Sequence, residues 1–504
     1  MRGGRAYLAA MPVRSQARSP ARRTRAIRKV HPVPQVKIRH DLTEPEEGPP
    51  LDPEHLPCRA ERKALGRSLR EKLPREQHAT WTATEDRPDP ISLLEASNVG
   101  RLPALVPIRH ARMGVDPFSF LRGSAVIMAH DLARTPSVGV KVQACGDAHL
   151  ANFGMFATPE RNLVFDLNDF DETLPAPWEW DLKRLAVSVW VAGRCNGTSE
   201  ANCEEAVRAC ALGYRRWMNR LSKWSFLDVW YARVDAEELR HTLYKEERAS
   251  AEETLAKARR RTQLATLPKL TELREGRRCI IDDPPLLVHP KRDDAETIAE
   301  VLQVMGEGYL STLQGERCTL VRRYKMVDVA RKVVGVGSVG TRCYIALLLG
   351  AHAEDPLFLQ IKEASASVLE PFAGASTYTN AGQRVVEGQR LMQAAADIFL
   401  GWCKVGGRDF YVRQLRDMKG STDVERLSAR GLARYAALCG RTLARAHARG
   451  GDAAVLRGYL GRTEAFDDAI CAFTRAYADQ NERDFGLFQK AVRSGRLPVR
   501  EEEE

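Results

Sequence analysis

Residues 333–350, VVGVGSVGTRCYIALLLG, hold the choice of fold. Gly335, Gly337 and Gly340 give the spacing G-x-G-x-x-G, which in a dinucleotide-binding unit ends a strand and opens a helix. Here the continuation TRCYIALLLG is β-branched, aromatic and aliphatic, without a polar helical face, so the glycines fall between two strands. Such a hairpin, with Ser338 among its glycines, lets backbone N–H groups approach phosphates because no Cβ intervenes. A plain tight hairpin needs the same glycines, and the flanking sequence has to separate the two readings.

One hairpin later, LFLQIKEA (residues 357–364) sets Lys362 among apolar neighbours on a strand. A lone Lys at a strand end is usually a solvated edge residue, but after a Gly-rich loop it is placed to pair with nucleotide phosphates. Such a Lys needs a carboxylate to hold it; Glu387, in the helical pattern QRVVEGQRLMQ, is the candidate, with Glu370 behind it. A second polar cluster lies earlier, in CGDAHLANFG (145–154) and LVFDLNDFDE (163–172). Asp147 and Asn152 stand at D-x-x-x-x-N, the spacing by which an Asp takes the proton of an attacking hydroxyl while the Asn holds Mg²⁺. NDFDE offers a further metal-binding Asp at the end of the strand NLVFDL. Mg²⁺ prefers a few carboxylate or carbonyl oxygens completed by phosphates and water, which Asn152, Asp169 and ATP would supply.

GDAHLANFG together with NDFDETLPAPWEWDLKRLA resembles the H-G-D-x-x-x-x-N and I-D-F-D-D-A … Y-D-L-A signatures of aminoglycoside- and choline-kinase-like phosphotransferases. The resemblance implies Asp147 as catalytic base, Asn152 and Asp169 as metal ligands, and Asp181 as the helix residue that braces the catalytic loop. Asp166 rivals Asp169, because it lies nearer the usual separation from the Asn. A fuller set of stretches, PIRHARMGVDPFSFLRG, GDAHLANFG, FDLNDFDET, VGVGSVGTRCYIALLLG, RVVEGQRLMQAAADIFLGW and LARAHARGGD, resembles the bacterial domain-of-unknown-function family 2252 over nearly all of the chain after about residue 60. That family is grouped with protein-kinase-like folds.

In ordinary kinases the Gly-rich loop and Lys precede the catalytic Asp, whereas here they follow Asp147 by about two hundred residues. The implied fold is α+β, protein-kinase-like and bilobal, with circularly permuted order. LCGRTLARAHARGGD (438–452) fits this, since it resembles the kinase helix that leads into the catalytic loop. Asp452 itself is a poor base, because Arg457 stands where the Asn is required. Permutation is tolerated where domain ends lie close together. The expected organisation is a basic arm and Pro-rich linker (1–57), the first part of a helical catalytic lobe (58–225), a charged helical insert (226–315), a β-rich nucleotide lobe (316–425) and the rest of the helical lobe (426–504).

The net charge of +11 is carried entirely by residues 1–40, which hold eleven Arg and Lys and no Asp or Glu. The body is formally neutral, so contact with nucleic acid or acidic surfaces is at most an accessory property of the arm. No run of eighteen apolar residues and no signal-peptide core is present, and the reading is cytoplasmic, with no membrane span. Eleven scattered Cys without a C-x-x-C pair argue against a zinc site or a disulfide framework. G-D-x-H would suit a metallophosphoesterase with His149 as ligand, but the downstream G-N-H element is missing, and His149 reads as a hydrogen-bonding residue of the loop. The expectation is an ATP- and Mg²⁺-dependent phosphotransferase acting on a hydroxyl acceptor, a small molecule rather than a protein. Nucleotidyl transfer and a nucleotide-binding pseudokinase scaffold are the alternatives. Acceptor choice falls to the insert and to Arg109, Arg112 and Arg122, and the 145–154 loop is expected to face Gly337 and Lys362 across a cleft.

Overall fold

The order in which four short strands pair explains why the two polar loops meet. In the computed structural model, which describes residues 57–236, 245–289, 304–415 and 418–501, β1 (Lys141–Ala144), β2 (Phe153–Ala157), β3 (Leu163–Leu167) and β4 (Leu174–Pro177) follow one another. β1 pairs antiparallel with β4, and β2 with β3. The β1–β2 loop carrying Asp147 and the β3–β4 loop carrying Asp169 therefore leave adjoining strands side by side. The helix Trp178–Cys195 follows β4 directly and is buried along nearly its whole length. It packs with Glu200–Leu221, Ala429–Gly450 and Ala465–Arg493 around a core that includes Trp178, Trp190, Tyr214, Leu443 and Phe473.

The remaining strands are β5 (Thr271–Arg274), β6 (Arg277–Ile280), β7 (Leu287–Val288), β8 (Lys325–Lys332), β9 (Cys343–Leu349), β10 (Pro356–Ala364), β11 (Gly401–Val405), β12 (Arg408–Gln414) and β13 (Gly420–Ser421). Six of them form an antiparallel sheet in the order β11-β12-β10-β9-β8-β7. Side chains alternate across it. Tyr344, Ala346, Leu348, Leu357, Leu359 and Ile361 meet Tyr309 and Leu310 on one face. Ile345, Leu347 and Phe358 meet Leu267, Leu270 and Ile280 on the other. Because both faces are covered, β9 and β10 are apolar at nearly every position.

The architecture is α+β, with helices and antiparallel sheets in separate layers. The segment expected to be a purely helical insert differs from that reading. It contains the helix Gln263–Leu270, but it also supplies the β5–β6 hairpin and the edge strand β7. Residues 237–244 and 290–303 of that segment, and the basic arm up to residue 56, lie outside the described residues. Among the described residues no helix is long and apolar enough to cross a membrane.

Candidate active site

The loop after β1 turns at Gly146, where two requirements exclude a side chain. Its φ is +84°, and a Cβ there would fall 2.1 Å from the Glu172 carbonyl oxygen. Asp181, one turn into the helix Trp178–Cys195, accepts from the N–H groups of Cys145 (2.6 Å) and Gly146 (2.9 Å), and His447 Nε2 lies 3.1 Å from it. Ser188 Oγ accepts from Leu150 N at 3.0 Å, and the Tyr435 hydroxyl donates to the carbonyls of Leu150 and Phe153. With its backbone held this way, the loop presents Asp147 to a cavity of about 640 Å³.

Arg184, one turn beyond Asp181 on the same helix, donates through Nε to Asp147 Oδ1 at 2.6 Å. Among the described residues Asp147 Oδ2 has no hydrogen bond, and His149 Nε2 lies 3.8 Å from it. His149 differs from the sequence reading: its ring makes no hydrogen bond among the described residues, and Nδ1 is buried without a partner. Burial pushes its pKa down to about 4, although the Asp147 carboxylate pulls the other way, so the ring is neutral at pH 7. Asn152 Nδ2 donates to the carbonyls of Asp147 and Asp169, both at 3.1 Å. This fixes the amide and leaves Asn152 Oδ1 buried without a hydrogen-bond partner, as is Asp169 Oδ1. Two orphaned acceptor oxygens on facing loops suit a hard cation completed by phosphate oxygens. Among the described residues no three or more His, Cys, Asp or Glu side chains gather as they would around a metal held by protein alone.

Asp166 does not face this cavity. It is fully buried on β3, where Arg445 and the backbone N–H groups of Leu167 and Ala394 occupy its carboxylate. Of the rival pair, only Asp169 lines the site. The carboxylate that holds Lys362 also differs from expectation. Glu387 pairs with Arg390 at 2.9 Å, and Glu370 accepts from Ser367 N. Lys362 Nζ, 2% exposed, lies 2.5 Å from Asp171 Oδ2 and 3.9 Å from Asp169 Oδ1. Asp171 also accepts from the hydroxyls of Tyr411 (2.6 Å) and Ser338 (3.2 Å). Register explains the trio: Tyr411 sits opposite Lys362 in the β10–β12 pair, and so projects from the same face of the sheet.

Burial opposes every charge here, and the neighbours decide each outcome. Lys362 is held well above its usual pKa by Asp169 and Asp171 despite burial. Burial works against the Asp171 carboxylate, but Lys362 and Tyr411 outweigh it and hold its pKa at about 2. Asp169 is pushed up by loss of hydration at the cavity wall and by the neighbouring Asp171 carboxylate. Burial raises Glu172 to about 7, against the opposing pull of Val368 N–H and Arg384. Arg384 comes from the helix that sequence reading assigned to Glu387; it donates to the carbonyls of Asp171, Thr173 and Ser365 and so clamps the Asp loop.

The Gly-rich loop joins β8 to β9, with Gly335 and Gly340 at φ +66° and +94°. Gly335, Gly337 and Ser338 line the cavity with Asp147, Asn152 and Asp169. Gly340 accepts from Leu102 N and lies against Arg101. Sequence reading missed Arg184, Asp171 and Arg384, and also Arg413 and Lys419, which line the cavity. For Asp171 a signal existed, because NDFDE carries three acids and only one was given a task.

A family model described as "Uncharacterized protein conserved in bacteria (DUF2252)" matches residues 101–491. No curated protein and no solved structure matches the chain. The matched span takes in both polar loops, the Gly-rich hairpin, Lys362 and the helix that carries Arg445 and His447, and by that extent the chain belongs to DUF2252.

Proposed function

We propose that the protein is an ATP- and Mg²⁺-dependent phosphotransferase of circularly permuted, kinase-like organisation, acting on a hydroxyl of a small molecule. One observation carries the reading: a single cavity gathers a carboxylate with an unengaged oxygen (Asp147) and two orphaned buried oxygens (Asn152 and Asp169) beside a Gly-rich hairpin, and the buried Lys362 bonds two of its lining residues, Asp171 and Ser338. In this mechanism Asp147 Oδ2 takes the acceptor's hydroxyl proton while Arg184 fixes the other carboxylate oxygen. The new O–P bond forms as the bond from the γ-phosphorus to the bridging oxygen breaks, and ADP leaves with that electron pair. Asn152 and Asp169 would hold the divalent cation, which when bound neutralises charge on the phosphates. Lys362 and the 335–340 hairpin would position those phosphates, and most of the acceleration comes from such fixed charges.

Support for permutation comes from the end of the helix Ala429–Gly450. A Cβ on Gly450 would lie 2.7 Å from that of Gln143, and one on Gly451 2.6 Å from Val142 Cγ1. The helix thus ends against β1, just before the Asp147 loop, where an unpermuted chain would run straight through. Calorimetric titration with ATP, with Mg²⁺ or with EDTA, tests the reading. The parent binds only with Mg²⁺, and Asp169→Ala and Lys362→Ala each weaken binding by about tenfold or more. Magnesium-independent binding, or none, defeats the proposal.

A further inference from the structure

Arg101, Arg109 and Arg122 reach the same cavity from the 97–126 segment, and none of them makes an ion pair among the described residues. Arg109 is only 2% exposed. Its Nη atoms donate to neutral oxygens, Ser97 Oγ (3.2 Å), Asn98 Oδ1 (2.5 Å) and the Gly123 carbonyl (2.8 Å), and its Nε has no partner. Arg101 donates to the carbonyls of Ser97 (3.0 Å) and Val339 (2.6 Å). Arg122 makes no hydrogen bond at all among the described residues, and its Nε is buried. Four other arginines of this fold face carboxylates: Arg87 meets Asp131 and Asp484, Arg184 meets Asp147, Arg215 meets Asp467, and Arg445 meets Asp166, whereas the buried Arg457 donates to Asn219 Oδ1 and the Gly461 carbonyl.

None of the acids around the cavity pairs with these arginines among the described residues: Asp171 holds Lys362, Glu363 lies 3.3 Å from Arg342, Asp147 accepts from Arg184 through Oδ1, and Glu172 accepts from Val368 N. Burial pushes the pKa of all three guanidinium groups down, the mark of charges removed from water without a matching anion. A planar guanidinium offers paired donors that match a phosphate or carboxylate. Arg184, which holds Asp147, also donates to the Leu121 carbonyl at 2.9 Å, and the Asp147 charge acts on Arg122, so Arg122 stands at the Asp147 side of the site while Arg101 lies against the hairpin and nearer Asp171.

We propose that Arg101, Arg109 and Arg122 seat an oxyanion carried by the acceptor, so that the substrate is a small hydroxyl compound bearing a phosphate monoester or a carboxylate. The word "acceptor" rests on the phosphotransferase reading; the anion seat does not. The test is calorimetry on the full chain at low salt, with inorganic phosphate and with malonate as probes, before and after saturation with a non-hydrolysable ATP analogue and Mg²⁺. One or both probes bind the nucleotide-loaded protein, and the stronger identifies the anion. Arg122→Gln and Arg101→Gln each weaken that binding by about tenfold or more, while nucleotide affinity changes by less than about threefold. Arg122 has no hydrogen bond to lose, so its variant keeps the parent's melting temperature. If the chain binds no nucleotide, the phosphotransferase reading falls, yet phosphate binding to the bare chain that disappears in Arg122→Gln still supports the seat. Absence of binding by either probe overturns it. So does exclusion of both probes by nucleotide together with an equal loss of nucleotide affinity in Arg122→Gln, which would give these arginines to the nucleotide.

Discussion

Asp181 touches no reacting group in the proposed mechanism, yet two backbone N–H groups ahead of Asp147 and the His447 ring all end on its carboxylate. Asp181→Ala strands all three in a dry interior, and a loss of about 3–5 kcal/mol follows from removing one partner of such a buried set. Urea unfolding of the variant measures it; a change below about 1 kcal/mol would mean that water takes over these partners. At this scale the sequence was legible where chemistry is local. Asp147 and Asn152 stand at a spacing that a tight loop enforces, Asp181 entered through the resemblance of its helix, and Lys362 stood out as one cation in an apolar strand. The partner of Lys362 was not legible from spacing. Glu387 lay closer along the chain, but strand register set Tyr411 opposite Lys362 and brought both to Asp171, nearly two hundred residues away.

Among the elements, β7 is the shortest strand of the six-stranded sheet, and a histidine ties it down. His289 lies 2.6 Å from Asp282, in the turn after β6, and 3.0 Å from Asp328 on β8. The bond to Asp328, aided by Asp282 and opposed by partial burial, lifts its pKa from 6.5 to about 9. A raised folded-state pKa adds stability that is complete below pH 6.5 and disappears as the pH climbs through about 9. The parent's urea midpoint should therefore fall over that interval, and His289→Gln should remove this part of the fall; superimposable pH profiles would sink the idea. The same region shows why sequence reading stopped short. The charge of the 226–315 segment suggested a helical insert, and the turn signal inside TELREGRRCI was overlooked. Glu275 and Gly276 both adopt positive φ, the geometry of a two-residue hairpin turn, and together they reverse β5 into β6.

Across the whole molecule, the first and last described segments pack as one helical body. Arg87 stands between Asp131 and Asp484, Arg496 reaches Asp89 and Glu95, and the helix Arg59–Lys72 lies against Ala453–Leu460. Contacts between residues some four hundred positions apart leave no local pattern, so the order of motifs suggested a rearranged chain without revealing what clasps its ends. That clasp is a crossing of two glycines. A Cβ on Gly66 would lie 1.9 Å from the Val455 carbonyl oxygen and 2.9 Å from Gly458 Cα, and both are backbone atoms that no rotamer change can move. Gly486 is the natural control, since it lies exposed in the helix Ala465–Arg493 and a Cβ there meets nothing within 4 Å. Replacing either helical glycine with alanine removes the same backbone freedom, worth about 1 kcal/mol in favour of the folded state. Gly486→Ala should show that gain. Gly66→Ala should instead lose about 1–3 kcal/mol as the helices are forced apart. Urea unfolding of the two variants beside the parent decides the matter by sign: equal stabilisation by both substitutions would mean that the ends of the chain are not held at this crossing.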